Sequence, residues 1–151
     1  YILGDEGSGV ALGRTFLADF VKGMVPEHIQ DDFIAETGLD YSAIVRKVYK
    51  EKAASAFMAS LAPFVLSRTD DPYMLSLVED CISSFVRRAL ARYASEEVKG
   101  DYTRSVGVAG SFGCACEEIL RKEGAPYGLE FVRFIKSPID ELVRYHNDYG
   151  I

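Results

Sequence analysis

Apolar residues along the chain recur at helical spacing through its first two thirds and cluster into short runs in the last third. Val10, Leu12, Phe16, Leu17 and Phe20 repeat close to every 3.6 positions, behind Ser8 as a candidate N-cap and ahead of Gly23 and Pro26 as stops. Shorter helical patterns follow over residues 29–34 and 41–49, separated by Gly38. Another covers 53–66, where Pro63 should bend or shorten it. The clearest helix begins at Pro72, with Asp70 or Asp71 as its cap. Its stripe runs through Met74, Leu77, Val78, Cys81, Ile82, Phe85, Val86, Ala89, Leu90 and Tyr93, which predicts one continuous core helix. Arg87, Arg88 and Arg92 fall off the stripe, as a solvated face does.

Beyond a polar loop around Gly100 the pattern changes. Residues 105–109 read as a buried strand, and Gly110-Ser111-Phe112-Gly113 turns sharply into a helix carrying Ile119 and Leu120. A second strand over 129–135 leads to Ser137-Pro138-Ile139-Asp140, which has a cap, a first-turn proline and an acid, and so opens a terminal helix. Tyr145 and Tyr149 are expected to pack beside that helix. Strand, helix and strand in this order predict parallel pairing within a helix-rich α/β fold. Residues 1–3 resemble the tail of one more strand. No repeat or linker interrupts the chain, so residues 1–151 are assigned to a single domain.

The 151 residues suffice to bury a core, and 48% apolar with 26% charged residues is ordinary for a folded soluble protein. A net charge of −6 argues against broad nucleic-acid binding. No apolar run reaches the roughly 20 residues that cross a bilayer, and no signal peptide precedes the first helix. With Cys81, Cys114 and Cys116 as an odd set, a reducing cytoplasm is the expected compartment and no disulfide framework is expected. Cys114-Ala-Cys116 lacks the partners of a closed four-ligand zinc site, since His28 and His146 have no matching spacing. No metal site is therefore predicted, and both histidines read as surface or locally bonded. A first residue of Tyr rather than Met suggests an excised segment.

Two segments could carry chemistry. In Gly4-Asp5-Glu6-Gly7-Ser8-Gly9, carboxylates could accept hydrogen bonds from neutral sugar hydroxyls, each contributing about 1.5–3 kcal/mol. The same acids would also suit a loop at a helix start, where the dipole contributes only about 0.3–1 kcal/mol. Adjacent acids cannot both face one small site without strain, which makes Asp5 the ligand candidate and Glu6 its support. In Val106-Gly107-Val108-Ala109-Gly110-Ser111-Phe112-Gly113, a glycine turn after a strand could admit an adenosine, with Ser111 or Cys114 nearby. It matches neither the dinucleotide fingerprint nor a Walker A loop, and close packing explains many such turns.

Taken together, the two segments resemble a known family. Gly4 to Gly9 followed by Leu12-Gly13-Arg14 resembles the GDEGSG-x-x-x-G pattern of the N-acetylglucosamine kinase and BadF/BadG-type ATPase family, within the actin-like ATPase superfamily. The Val-Gly-Val-Ala-Gly-Ser segment resembles that superfamily's adenosine motif, with Ala109-Gly110 where a Gly-Gly pair is usual. Asp71-Pro72 and Lys136-Ser137-Pro138 also look like bacterial members of the kinase branch. The resemblance implies the C-terminal lobe of an actin-like, ribonuclease H-like fold, with ATP and sugar bound against an absent N-terminal lobe. It implies that Asp5 contacts the sugar, that Gly110, Ser111 and Cys114 lie by the adenosine, and that Ser67 lies on the nucleotide's other side.

The family's catalytic base and phosphate loops match nothing in this chain, so no catalytic residue is assigned and the chain alone is expected to be inactive. Mg²⁺ is expected to be held by the nucleotide and the missing lobe. Oligomeric state is not readable from these residues, and a homodimer stays open. An activator ATPase of a 2-hydroxyacyl-CoA dehydratase, with an iron–sulfur cluster on interfacial cysteines, is a second expectation that iron analysis would separate. A non-catalytic sugar sensor is a third, separated by sugar-stimulated ADP release.

Overall fold

The computed structural model describes residues 4–94 and 104–149, and these group into two compact units divided between Ser84 and Phe85. The strand tail expected at residues 1–3 and the loop around Gly100 lie outside the described residues, as do the side chains of Asp140 and Tyr149.

Among the described residues, helices build the first unit. α1 (Gly9–Val21) starts where Ser8, in extended conformation, accepts a hydrogen bond from the Ala11 amide, and it buries the predicted face of Leu12, Phe16, Leu17 and Phe20. α2 (Glu27–Thr37) follows Pro26 and ends at a left-handed Gly38. α3 (Tyr41–Tyr49) is capped by Asp40, whose Oδ1 accepts from the Ala43 amide at 2.7 Å. The 53–66 pattern resolves into α4 (Ala54–Ser60) and α5 (Ala62–Leu66), with Pro63 in the first turn of α5, where its missing N–H breaks no helical bond. Of the two candidate caps for α6 (Pro72–Phe85), Asp71 serves: its Oδ1 accepts from the amides of Tyr73 at 2.9 Å and Met74 at 3.2 Å.

Four phenylalanines centre this unit. Phe33 meets Phe16, Phe20 and Phe64 edge-on, at centroid separations of 5.1, 5.0 and 5.3 Å, the geometry that ring quadrupoles favour. Arg68 closes the cluster from outside, its guanidinium 3.9 Å from the Phe64 ring centre while Nη2 donates to Glu36 at 2.7 Å. α1 is drawn unusually close to α4. A β-carbon at Gly13 would overlap the Met58 carbonyl oxygen, and one at Gly9, a turn earlier, would come within 3.3 Å of the Ala62 β-carbon. Gly13 is therefore a packing requirement, because a rigid backbone atom occupies the space that a side chain would need.

The expectation of one continuous helix through Tyr93 needs correction. Its backbone widens into a π-helical turn over Val86–Leu90 before α7 (Ala91–Tyr93). Met74, Leu77, Val78, Ile82 and Val86 are buried as predicted, but Tyr93 is 66% exposed. A π turn takes up additional residues, so a stripe spaced for 3.6 per turn loses phase beyond it. Arg87, Arg88 and Arg92 are exposed, as their positions off the stripe predict.

A right-sized parallel unit follows in the second half. β1 (Ser105–Ala109) leads through α8 (Ser111–Ala115), α9 (Glu117–Gly124) and a 3₁₀ turn over Ala125–Tyr127 to β2 (Glu130–Ile135). The strands pair in parallel, as expected, with Ser105 opposite Glu130 and Ala109 opposite Ile135 and a register shift between Val106 and Gly107. Arg121 ties α9 to β2: it bonds Glu117 one turn back and donates to the Phe131 carbonyl at 2.6 Å. The prediction that β1 is buried is not met. Val106 and Val108 are half-buried while Ser105, Gly107 and Ala109 are exposed, because a strand alternates its faces and among the described residues β1 pairs with β2 alone. α10 (Pro138–Tyr149) ends the described chain.

Gly13→Ala is expected to lower unfolding stability by about 1–3 kcal/mol through overpacking. Gly107→Ala, whose β-carbon would meet nothing within 4 Å, should change it by less than about 0.5 kcal/mol. Denaturant midpoints measure both, and equal losses would show that the α1–α4 contact is not tight.

Candidate functional site

In the first unit the acidic loop is locked onto the start of α1 by one hydroxyl. Ser8 Oγ donates to the Asp5 carbonyl at 2.7 Å and accepts from the Ala11 amide at 3.1 Å, while the Ser8 carbonyl accepts from the Leu12 amide at 3.0 Å. Gly7 turns the chain with φ of 69°. Asp5 and Glu6 sit half-buried above the helix N-terminus, where partial positive charge favours carboxylates. Among the described residues, the bonds of Asp5 involve its backbone, which leaves its carboxylate able to accept from a ligand's hydroxyl. From α6, the Cys81 thiol reaches the Ser8 carbonyl at 3.9 Å. Burial pushes its pKa up, against a backbone bond at Gly7 and the charge of Arg14. A thiol held this way is a packed neighbour of the loop rather than a reactive group.

The second unit carries the glycine turn. Gly110 adopts φ of 110° and ψ of 153°, a conformation that side-chain-bearing residues avoid, although a β-carbon there would have open space around it. Glycine is thus required by backbone angle rather than by crowding. Its N–H donates to the Ile135 carbonyl at 2.8 Å and its carbonyl accepts from the Cys114 amide at 3.1 Å, which pins the turn to the ends of both strands. The carboxyl end of parallel strands is where α/β folds place their ligands. Ser111 is exposed there and Cys114 is half-buried, while Cys116 packs in the interior at 1% exposure.

Ser67 belongs to the first unit, at the end of α5. Its hydroxyl donates to the Phe64 carbonyl at 3.1 Å and accepts from Arg68 at 3.1 Å. The predicted residues therefore gather into local sets: Asp5 and Glu6 on one loop, Gly110, Ser111 and Cys114 on one turn, and Ser67 at a helix end. His28, expected to be on the surface or locally bonded, is exposed and meets Asp71 Oδ2, a distant residue in sequence, at 2.8 Å. Among the described residues no cluster of three or more His, Cys, Asp and Glu side chains is arranged to hold a metal ion.

Two cavities avoid all of these residues. One of about 210 Å³ lies against Leu17, Val21, Ile44, Val48 and Met58, a mostly apolar lining with Arg14, Tyr41 and Tyr49 also on it. The other, about 270 Å³, opens beside Arg104, Ser105 and Leu129, at the amino ends of the strands and away from the Gly110 turn. Sequence reasoning missed the structural duty of Gly13 and the clamps made by Arg68 and Arg121. The spacing of Gly9 and Gly13 by one helical turn was the one available signal.

No family model matches the chain, and no curated protein matches it. Among solved structures, a Porphyromonas gingivalis protein described as a candidate N-acetylglucosamine kinase is similar over 100% of this chain, at 32% identity and a TM-score of 0.85. The match covers 51% of that protein, so this chain spans about half its length. The resemblance carried by the GDEGSG loop thus extends along the whole chain, as a helix-rich α/β fold similar to part of a kinase-like protein. No described helix is long and apolar enough to cross a membrane.

The bond from His28, chiefly, and those from the Met74 and Tyr73 amides hold the Asp71 carboxyl below its ordinary 3.8, against desolvation. A depressed folded-state pKa gives stability that is present above pH 3.8 and is lost as pH falls through the lower folded value. Denaturant titrations in that window should show wild type losing stability more steeply than Asp71→Asn, which keeps a capping oxygen without the charge. Parallel pH profiles would contradict this account of the cap.

Proposed function

We propose that the polypeptide to which this chain contributes transfers the γ-phosphate of ATP to a hydroxyl of N-acetylglucosamine or a similar hexosamine. The observation that carries the proposal is the similarity over 100% of this chain to a protein described as a candidate N-acetylglucosamine kinase. The chain is then the C-terminal lobe of an actin-like, ribonuclease H-like ATPase, working in the cytoplasm beside an N-terminal lobe.

Asp5 accepts a hydrogen bond from a sugar hydroxyl, and Glu6 supports the loop. Ser8 holds Asp5 in place before the sugar arrives, so less conformational freedom is lost on binding. At the other motif, Gly110 lets the adenosine approach the backbone, with Ser111 and Cys114 beside it and Ser67 on its far side. Nucleotide-borne Mg²⁺ would neutralise phosphate charge, and the catalytic base belongs to the other lobe. Burial of Cys116 speaks against the activator alternative, whose cluster needs cysteines at an interface.

Asp5→Asn in the longer protein should raise the sugar KM by roughly 30- to 150-fold, the equivalent of one charged hydrogen bond of about 2–3 kcal/mol, with ATP binding nearly unchanged. Coupled ADP-release kinetics at varied sugar concentration measure this. Unchanged KM and turnover would remove Asp5 from the site, and no sugar-stimulated ADP release by wild type would favour a non-catalytic sensor.

A further inference from the structure

α1 and α3 both pack against α4, and the cavity of about 210 Å³ lies between them. Each helix turns one face to it at i, i+3 and i+7 spacing: Arg14, Leu17 and Val21 from α1, and Tyr41, Ile44 and Val48 from α3. Leu17 and Ile44 are only 4% and 2% exposed, whereas Tyr41 is 62% and Tyr49 81% exposed, so aliphatic side chains close the inner end and tyrosines flank the mouth. Arg14 is exposed and is the one charged residue on the lining. Among the described residues it makes no ion pair or hydrogen bond, and neither tyrosine hydroxyl has a partner. The cations of α3 are placed differently: Arg46 and Lys47 lie off the lining, at 3.7 and 3.8 Å from Glu51.

We propose that this cavity binds a small monocarboxylate with a short acyl or aryl body, its head on Arg14 and its body against Leu17 and Ile44. The head follows from charge. A guanidinium donates two parallel hydrogen bonds to a carboxylate, and a phosphate dianion would bring a second charge to a lining with no second cation. The tyrosine hydroxyls add neutral donors at the mouth. The body follows from shape, because small-molecule sites are mostly apolar with a few polar groups that orient the ligand. Drug-sized ligands occupy about 300–1,000 Å³, so a cavity of about 210 Å³ admits a short chain or a single ring rather than a long lipid. The site shares no residue with the acidic loop or the glycine turn, and it stands whether or not the longer polypeptide is a kinase.

Methyl NMR of the longer polypeptide, titrated separately with octanoate, octanamide and acetate, tests it. Octanoate is expected to give saturable shifts at the methyls of Leu17, Ile44 and Met58, with octanamide weaker by about tenfold or more and acetate without effect. Arg14→Gln, a change at an exposed position, should bring octanoate and octanamide to within about twofold of each other by removing the charged bond. No saturable shift at these methyls, equal affinity of wild type for octanoate and octanamide, or an unchanged preference in Arg14→Gln would each overturn the proposal. Shifts of the same methyls that depend on protein concentration without ligand would also overturn it, by assigning the groove to a second copy of the chain.

Discussion

A single hydroxyl fixes the acidic loop. Ser8 bridges the Asp5 carbonyl and the Ala11 amide, which ties the loop to the first turn of α1. That helix is seated by the missing side chain at Gly13, which lets α1 reach the backbone of α4. The backbone of Asp5 is thus tied to a helix whose buried face packs into the phenylalanine core. An acid on a loop held this way has less backbone freedom to lose than one on an unattached loop.

The second unit solves a different problem with the same economy. Gly110 makes the sharp turn after β1 possible by taking a backbone angle that side-chain-bearing residues rarely adopt. The turn does not drift, because its amide and carbonyl are bonded to Ile135 and Cys114. Arg121 then holds the crossover helix to β2, so the two strands keep the register that presents the turn at their carboxyl ends.

Local signals were legible wherever chemistry between near neighbours decides the outcome. Ser8, Asp71, Gly38 and Pro63 mark helix limits through bonds within a few residues, and the parallel pairing of 105–109 with 129–135 follows from strand order. What escaped depends on distant partners. The π turn at Val86–Leu90 has no signature in an unbroken apolar stripe, and the half-exposure of β1 depends on which neighbours a strand has. Gly9 and Gly13 stood in the sequence only as part of the GDEGSG-x-x-x-G pattern, yet both are explained by contact with α4 and α5. Motif and packing are not rivals here, since the packing is what holds the acid in position.

The most direct test is a crystal structure of the longer polypeptide with N-acetylglucosamine and a non-hydrolysable ATP analogue bound together. The account predicts the Asp5 carboxylate within hydrogen-bonding distance of a sugar hydroxyl and the adenosine against the Gly110 turn. A sugar bound elsewhere, with Asp5 facing solvent, would contradict it.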